Sequence, residues 1–277
     1  MKTFLKYVLA TITGIIIVSI LFMVILLASL STMMVSGDKP ASITDNSVLV
    51  LKAGVTIPDR GSKNPYAGID LINMTISPAP GLNEILHNLK KAAADDKVKG
   101  VLIENGLIPS GWATTEELRD GLKKFRESGK FVIAWSDYVL MQEGYYLSSV
   151  ADKIYVNPSS TVDFKGLSGE VLFYKKALEK LGVDVQVIRH GKFKGAVEPY
   201  ILDELSAENR EQIKTYVGSI WSHVVNNISA DRGIPVEKLN SIADNLVGYV
   251  AAGALSGGLV DGLLYHDQLI DTLKIRS

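Results

Sequence analysis

The stretch that most narrows what this chain can become lies near its start. From Val8 to Leu30 there is no charged side chain, and Ile, Leu, Val, Met and Ala dominate. Roughly 20 such residues cross the hydrocarbon core of a bilayer as a helix, since a helix satisfies its own backbone polar groups. Lys2 and Lys6 precede the run with no acidic residue beside them, which predicts an N-terminus held in the cytoplasm. The apolar core exceeds the ~7–15 residues of a cleaved signal, and Ala28-Ser29-Leu30 is a poor small-x-small cleavage site. We therefore expect residues 1–7 as a cytoplasmic N-terminus, 8–30 as a transmembrane signal anchor, 31–46 as a polar linker, and 47–277 as a folded domain beyond the membrane.

Composition removes several functions. The formal net charge of the 277 residues is -1, and no basic stripe is interleaved with aromatics, so nucleic acid is not an expected partner. Without cysteine there are no disulfides, thiolate nucleophiles or Cys-based metal sites. His87, His190, His223 and His266 are widely spaced and form no His-Glu-x-x-His pair, so they read as surface or packing residues. Walker, Gly-x-Gly-x-x-Gly and Gly-x-Ser-x-Gly patterns are missing, so neither a cofactor nor a Ser-His-Asp hydrolase is expected.

The order of elements points to an α/β fold. Ser47 to Leu51 reads as a first strand, and the Pro- and Gly-rich stretch 54–81 as a lid, a binding loop or a disordered segment. A helical stripe then begins at Leu82, followed by an apolar strand over Val98 to Glu104. Thr114 and Glu117 suggest a capping box for a helix burying Leu118, Leu122 and Phe125. Phe131 to Trp135 and Lys153 to Val156 read as strands flanking a short helix from Gly144 to about Val150. A helix over about Val171 to Leu181 should precede a strand in which Val183, Val185 and Val187 alternate. Ser206 caps a long helix, with Ile213, Val217, Ile220, Trp221, Val224, Val225 and Ile228 at helical spacing. Pro235 opens another helix, and Leu269, Ile270 and Leu273 mark a last one. Repeated strand-then-helix order implies parallel strands joined by right-handed crossovers.

Between the expected strand and the long helix lies His190-Gly191-Lys192-Phe193-Lys194-Gly195-Ala196-Val197-Glu198-Pro199-Tyr200. Two lysines between two glycines can be a solvated turn. They can also hold a general base, because apolar neighbours and a nearby positive charge both favour the neutral amine that such a base requires. Lys194, among Phe193, Ala196 and Val197 and two residues from Lys192, meets those conditions; Glu198, folded back, would oppose them.

The run from Gly191 to Tyr200 resembles the lysine motif of the signal peptide peptidase A (protease IV) family, peptidase family S49. Asn64-Pro65-Tyr66, Gly111 to Leu118, Gly144 to Asn157 and Ala254 to Gly262 support the resemblance, which runs from the anchor to Ser277 and covers the first of the two repeats of the family's long form. It implies a crotonase-like or Clp-protease-like fold of repeated β-β-α turns. It also implies a Ser-Lys dyad in which the first repeat supplies the lysine, here Lys194, and the second the serine. The serine of the second repeat lies in an Ala-Ser-Gly-Gly-Tyr-type turn entering a helix; the matching stretch here runs from Met141 to Tyr146, with Gln142 in the nucleophile's place. Ser148 and Ser149 read as ordinary helix residues. The turn at Pro109-Ser110-Gly111 matches the one that would build an oxyanion hole, retained for the fold and not the job.

The expected function is thus a membrane-anchored serine peptidase that degrades signal peptides and other extended hydrophobic peptides, with this chain bringing the base and lacking the nucleophile. The isolated chain is expected to be inactive. The resemblance further implies a bacterial inner (plasma) membrane location, single-pass with the bulk of the chain periplasmic, a serine-bearing second half or subunit, and homo-oligomerisation. A membrane-tethered assembly scaffold and a crotonase-type acyl-CoA enzyme are the alternatives; the anchor argues against the second, because acyl-CoA is intracellular.

Overall fold

A computed structural model describes residues 1–35, 43–62, 69–70, 75–76, 80–104, 106–188 and 190–277. The chain divides into two compact units, Met1–Thr44 with Gly61–Ala79 and Asp45–Arg60 with Pro80–Ser277.

The first unit begins with α1 (Lys2–Val35), whose stretch Thr3–Ser29 is long and apolar enough to cross a membrane and is exposed among the described residues. A helix apolar on every side finds its solvent in lipid rather than water. Its hydroxyls bond within the helix, Thr11 and Thr13 Oγ1 donating to the carbonyls of Tyr7 and Leu9 at 3.0 and 2.8 Å. The helix continues through residues 31–35, where a linker was expected, and 36–42 lie outside the described residues. The next strand, β1 (Ser47–Lys52), belongs to the second unit. β2 (Ile69–Asp70) and β3 (Thr75–Ile76) then form a small antiparallel pair in the first. The rest of 63–79, including Asn64-Pro65-Tyr66 and much of the stretch expected as a lid, a binding loop or a disordered segment, lies outside the described residues.

The second unit is a mixed α/β structure on a parallel sheet, as the order of elements predicts. α2 (Leu82–Ala94) leads to β4 (Val98–Glu104), α3 (Trp112–Arg126) to β5 (Phe131–Ser136), and β6 (Val139–Met141) to α4 (Gln142–Ser148). β7 (Lys153–Val156) and β8 (Thr161–Asp163) follow, then α5 (Lys175–Lys180), α6 (Glu198–Ile201), α7 (Ala207–Arg232), α8 (Val236–Asp244), α9 (Ala251–Gly257), β9 (Gly262–Leu263) and α10 (His266–Arg276). The main sheet has the order β1-β4-β5-β7-β9, parallel throughout, while β6 and β8 pair in parallel in a second, two-stranded sheet. Its strands are apolar because both faces are covered. Helices including α2, α3, α4 and α7 build the larger core, and Leu269 and Leu273 of α10 pack on Leu102, Ile133 and Trp135 across the sheet.

Three local expectations are corrected. α3 starts at Trp112 with Gly111 as its cap, so Thr114 sits inside the first turn and caps nothing. α5 covers Lys175–Lys180 alone, because Tyr174 donates its N–H to the Pro199 carbonyl at 2.7 Å and the preceding residues form no helix. Residues 183–188 form no strand: Val185 and Val187 are half-buried and their neighbours exposed, the alternation of a strand without a paired edge.

Two polar anchors fix the helices to this core. Arg119 on α3 is fully buried and donates to the Tyr146 carbonyl at 2.7 Å, to Ser149 Oγ at 2.6 Å, and to Asp231 near the end of α7. Its guanidinium lies 4.2 Å above the centre of the Tyr146 ring, a favourable cation–π placement. Burial, reinforced by the hydrogen bond to Glu116, pushes the Tyr146 phenol up to about 12. The second anchor is Asp261, whose Oδ2 accepts from Ile154 N at 2.9 Å and Arg232 at 2.8 Å while Lys153 lies 3.3 Å from Oδ1. Burial works against its charged form, but the Ile154 N–H, Arg232 and Lys153 outweigh that and hold the carboxyl below the usual range. A depressed folded value makes the unfolded chain the stronger proton binder on the acid side. The stabilisation from Asp261 is therefore complete above the ordinary aspartate value of about 4 and is lost as pH falls below it. Urea denaturation in detergent of the parent and Asp261→Asn chains should show a stability difference that is constant near neutrality and shrinks below about pH 4.

Candidate functional site at the lysine loop

β6 delivers the chain directly into α4, so the first residue of that helix, Gln142, stands where the resemblance puts a nucleophile. Both ends of its carboxamide are hydrogen-bonded. Oε1 accepts from the N–H groups of Lys165 and Gly166 at 3.0 and 2.8 Å, and Nε2 donates to the Gly166 carbonyl at 2.9 Å. Gly166 has φ +89°, a left-handed conformation that glycine adopts without a side-chain clash. The glutamine thus holds the turn after β8, and as an amide it offers no nucleophile.

The serines nearby are committed elsewhere. Ser148 at the end of α4 and Ser149 just after it are buried, and Ser149 Oγ both accepts from Arg119 and donates to the Tyr146 carbonyl at 2.9 Å. Ser110 Oγ accepts from Ile57 N at 2.9 Å, so the turn expected at an oxyanion hole braces the segment after β1. Gly111 beside it caps α3.

Lys194 is exposed, at the entry to a 3-10 turn over Gly195–Val197 that runs straight into α6. Gly191 before it has φ +100°, which lets the loop reverse. Two contacts fix the far side of the loop. Glu198 is wholly buried, and its carboxylate accepts from Ser206 N at 3.1 Å, Ser206 Oγ at 2.5 Å and Asn209 Nδ2 at 3.0 Å. Ser206 in turn caps α7 by accepting from Asn209 N at 3.2 Å. On the other side Tyr174 bonds the Pro199 carbonyl, and its ring stacks on Tyr200 with centroids 5.9 Å apart. Glu198 entered the sequence reading only as a charge acting on Lys194; its part in clamping the loop needed the position of α7.

The segment carrying Lys194 is sparsely covered. Leu181, Ile188, Phe193, Tyr200 and Tyr216 are all exposed. In the first half of α7, Ile213, Val217 and Ile220 are only half-buried, whereas Val224, Val225 and Ile228 are buried. Beside the loop a cleft of about 520 Å³ is walled by Phe193, Tyr216 and Ile220 together with the polar Glu211, Gln212, Thr215 and Ser219. An apolar surface of this kind, concentrated around one loop, marks a contact surface more often than a solvated face.

A sequence model of peptidase family S49 matches residues 124–277, more than half of the chain. The chain belongs to this family. The S49 match includes Gln142, Lys194 and Glu198, and the resemblance drawn from the lysine loop holds. Among S49 relatives, the chain is 30% identical over 244 residues to Protease 4 of Salmonella typhi, covering 83% of this chain and 39% of that protein. It is 28% identical over 220 residues to Protease 4 of Haemophilus influenzae, covering 78% and 36%. To the chloroplastic serine protease SPPA of Arabidopsis thaliana it is 28% identical over 207 residues, covering 75% and 30%. The chain spans well under half the length of each.

Gln142→Ala should destabilise the chain by about 0.5–1.5 kcal/mol, since two N–H groups and a carbonyl, exposed or half-buried, lose their partner. Denaturant titration checks this, and hydrogen exchange should quicken at Lys165 and Gly166.

Proposed function

We propose that this chain is the anchored, base-donating repeat of an S49 serine peptidase that works by a Ser-Lys dyad, with Lys194 as the base and the serine on a second repeat or subunit. The observation that carries the reading is the occupant of the α4 start. Gln142 is chemically inert and bonded into the fold, while the lysine loop of the same S49 domain is exposed and rimmed by apolar side chains. The Protease 4 relatives extend far beyond the matched stretch, which supports a serine-bearing region outside it. The order β5-β6-α4-β7-β8, with successive strands sent to the main and the two-stranded sheet, supports a crotonase- or Clp-protease-like repeated β-β-α unit.

In this mechanism neutral Lys194 Nζ takes the proton of the serine hydroxyl as its oxygen attacks the peptide carbonyl. It returns that proton to the departing amine, leaving an acyl-enzyme, and then activates a water to release the acid. Lys194 is solvent-exposed in this chain, and docking of the serine-bearing half over Phe193, Tyr200 and Tyr216 would supply the desolvation that favours a neutral amine. The substrates are extended hydrophobic peptides, including leftover signal peptides, presented at the membrane surface that α1 secures. In this reading residues 8–30 are the anchor, residues 1–7 lie in the cytoplasm and 47–277 outside it at the plasma membrane of a bacterium. Lys2 and Lys6, which precede the apolar run, support the orientation, and the bacterial Protease 4 relatives support the setting. The isolated chain is inactive in this reading.

The test is Lys194→Met in the complete protein, assayed on a quenched signal-peptide substrate. Hydrolysis should fall about 10²–10⁴-fold, the usual contribution of a general acid–base, with thermal stability preserved. Activity near the parent level in a folded variant removes Lys194 from the mechanism.

A further inference from the structure

Beyond its two lysines, the loop is organised around a group whose chemistry the dyad does not use. Glu198 is a completely buried carboxylate four residues after Lys194, with the Ser206 N–H and hydroxyl and the Asn209 amide converging on it at 3.1, 2.5 and 3.0 Å. Burying such a group is costly unless it is well bonded, so its presence in a solvent-facing loop calls for a reason. A glutamate that served only solubility or helix termination would sit outside.

We propose that Glu198, gripped by Ser206 and Asn209, is the positioning residue of Lys194: it ties the lysine loop to the N-terminus of α7 and fixes where Nζ can reach. The inference rests on the reading of Lys194 as the base. The connection is short and stiff. From Lys194 the chain enters the 3-10 turn, the Glu198 N–H donates to the Gly195 carbonyl, and Pro199 fixes the next backbone angle in the first turn of α6. Gly195 presses against the same partner, since a Cβ there would overlap the Asn209 carboxamide. Two residues of the motif, Gly195 and Glu198, therefore meet the carboxamide of one asparagine. Lys194 lies immediately before them, so the same contacts hold its backbone. α7 is in turn secured at its far end, where Val224, Val225 and Ile228 are buried and Asp231 meets Arg119. The path from the core to the lysine is α7, Ser206 and Asn209, Glu198, the 3-10 turn.

A base displaced by about 1 Å loses about 100-fold in rate while the substrate still binds, and this separates positioning from a general loss of fold. The experiment compares Lys194→Met, Glu198→Gln, Ser206→Ala and Ser206→Thr in the complete protein, measuring kcat and KM for a signal-peptide substrate together with the thermal midpoint. Glu198→Gln keeps the shape of the side chain but replaces one acceptor oxygen with an NH2 that faces donors. Its kcat should fall about 10- to 100-fold with KM within about twofold. Ser206→Ala should lower kcat in the same way, and Ser206→Thr, which keeps the hydroxyl, should recover most of it. If Lys194→Met abolishes hydrolysis while folded Glu198→Gln retains the parent kcat, Glu198 does not position the base, although Lys194 remains the base. If Lys194→Met retains hydrolysis, the base reading fails and the positioning role falls with it. Should Glu198→Gln not fold, the Ser206 pair decides: equal kcat for Ala and Thr at unchanged thermal midpoints overturns the proposal.

Discussion

The buried guanidinium of Arg119 is the interaction on which the placement of everything else in the second unit depends. From α3 it reaches the backbone and a hydroxyl of α4 and the Asp231 carboxylate of α7, so three helices share one cation. Lys123 lies 3.1 Å from the other oxygen of Asp231, which spreads the charge of the pair. Truncating one partner of such a group leaves an uncompensated buried charge, a loss of about 3–5 kcal/mol. The same contact also decides geometry. With α7 pinned near its C-terminal end, its opposite end projects past the core and becomes the post to which the lysine loop is fastened.

α7 therefore has two lives along one helix. Its last turns are core: Val224, Val225 and Ile228 are packed, and Trp221 lies against Phe164 while its Nε1 donates to Asn240 at 2.9 Å. Its first turns are half-covered, and the loop they hold carries exposed Phe193 and Tyr200. Rigidity at one end with an open apolar surface at the other fits the proposed role of Lys194 as a base presented to a serine-bearing partner. Gln142 fits the same division of labour, because the α4 start has been given over to holding the 165–166 turn.

Much of the scaffold was legible. The strands at β4, β5 and β7 and the buried faces of α3 and of the end of α7 follow from apolar runs and helical spacing, since a residue buried on both faces of a sheet must be apolar whatever surrounds it. The misreadings share a cause. Val183, Val185 and Val187 have the period of a strand, but a strand exists only with a ladder partner, and none is present there among the described residues. α5 is short because Tyr174 is drawn to Pro199, a contact 25 residues distant in sequence that no local window contains. Thr114 failed as a cap because Gly111 could close the helix without a side chain.

By itself, the sequence determined the apolar first helix, the alternation that makes a parallel α/β sheet, and the identity of the lysine motif, all of which depend on local composition and spacing. Tertiary structure alone decided that Glu198 is buried, that Ser206 and Asn209 meet it, and that Gln142 is spent on a turn. Those contacts join segments separated along the chain, and hydrogen-bond geometry between segments is set by how helices and strands pack, not by any residue's neighbours in sequence.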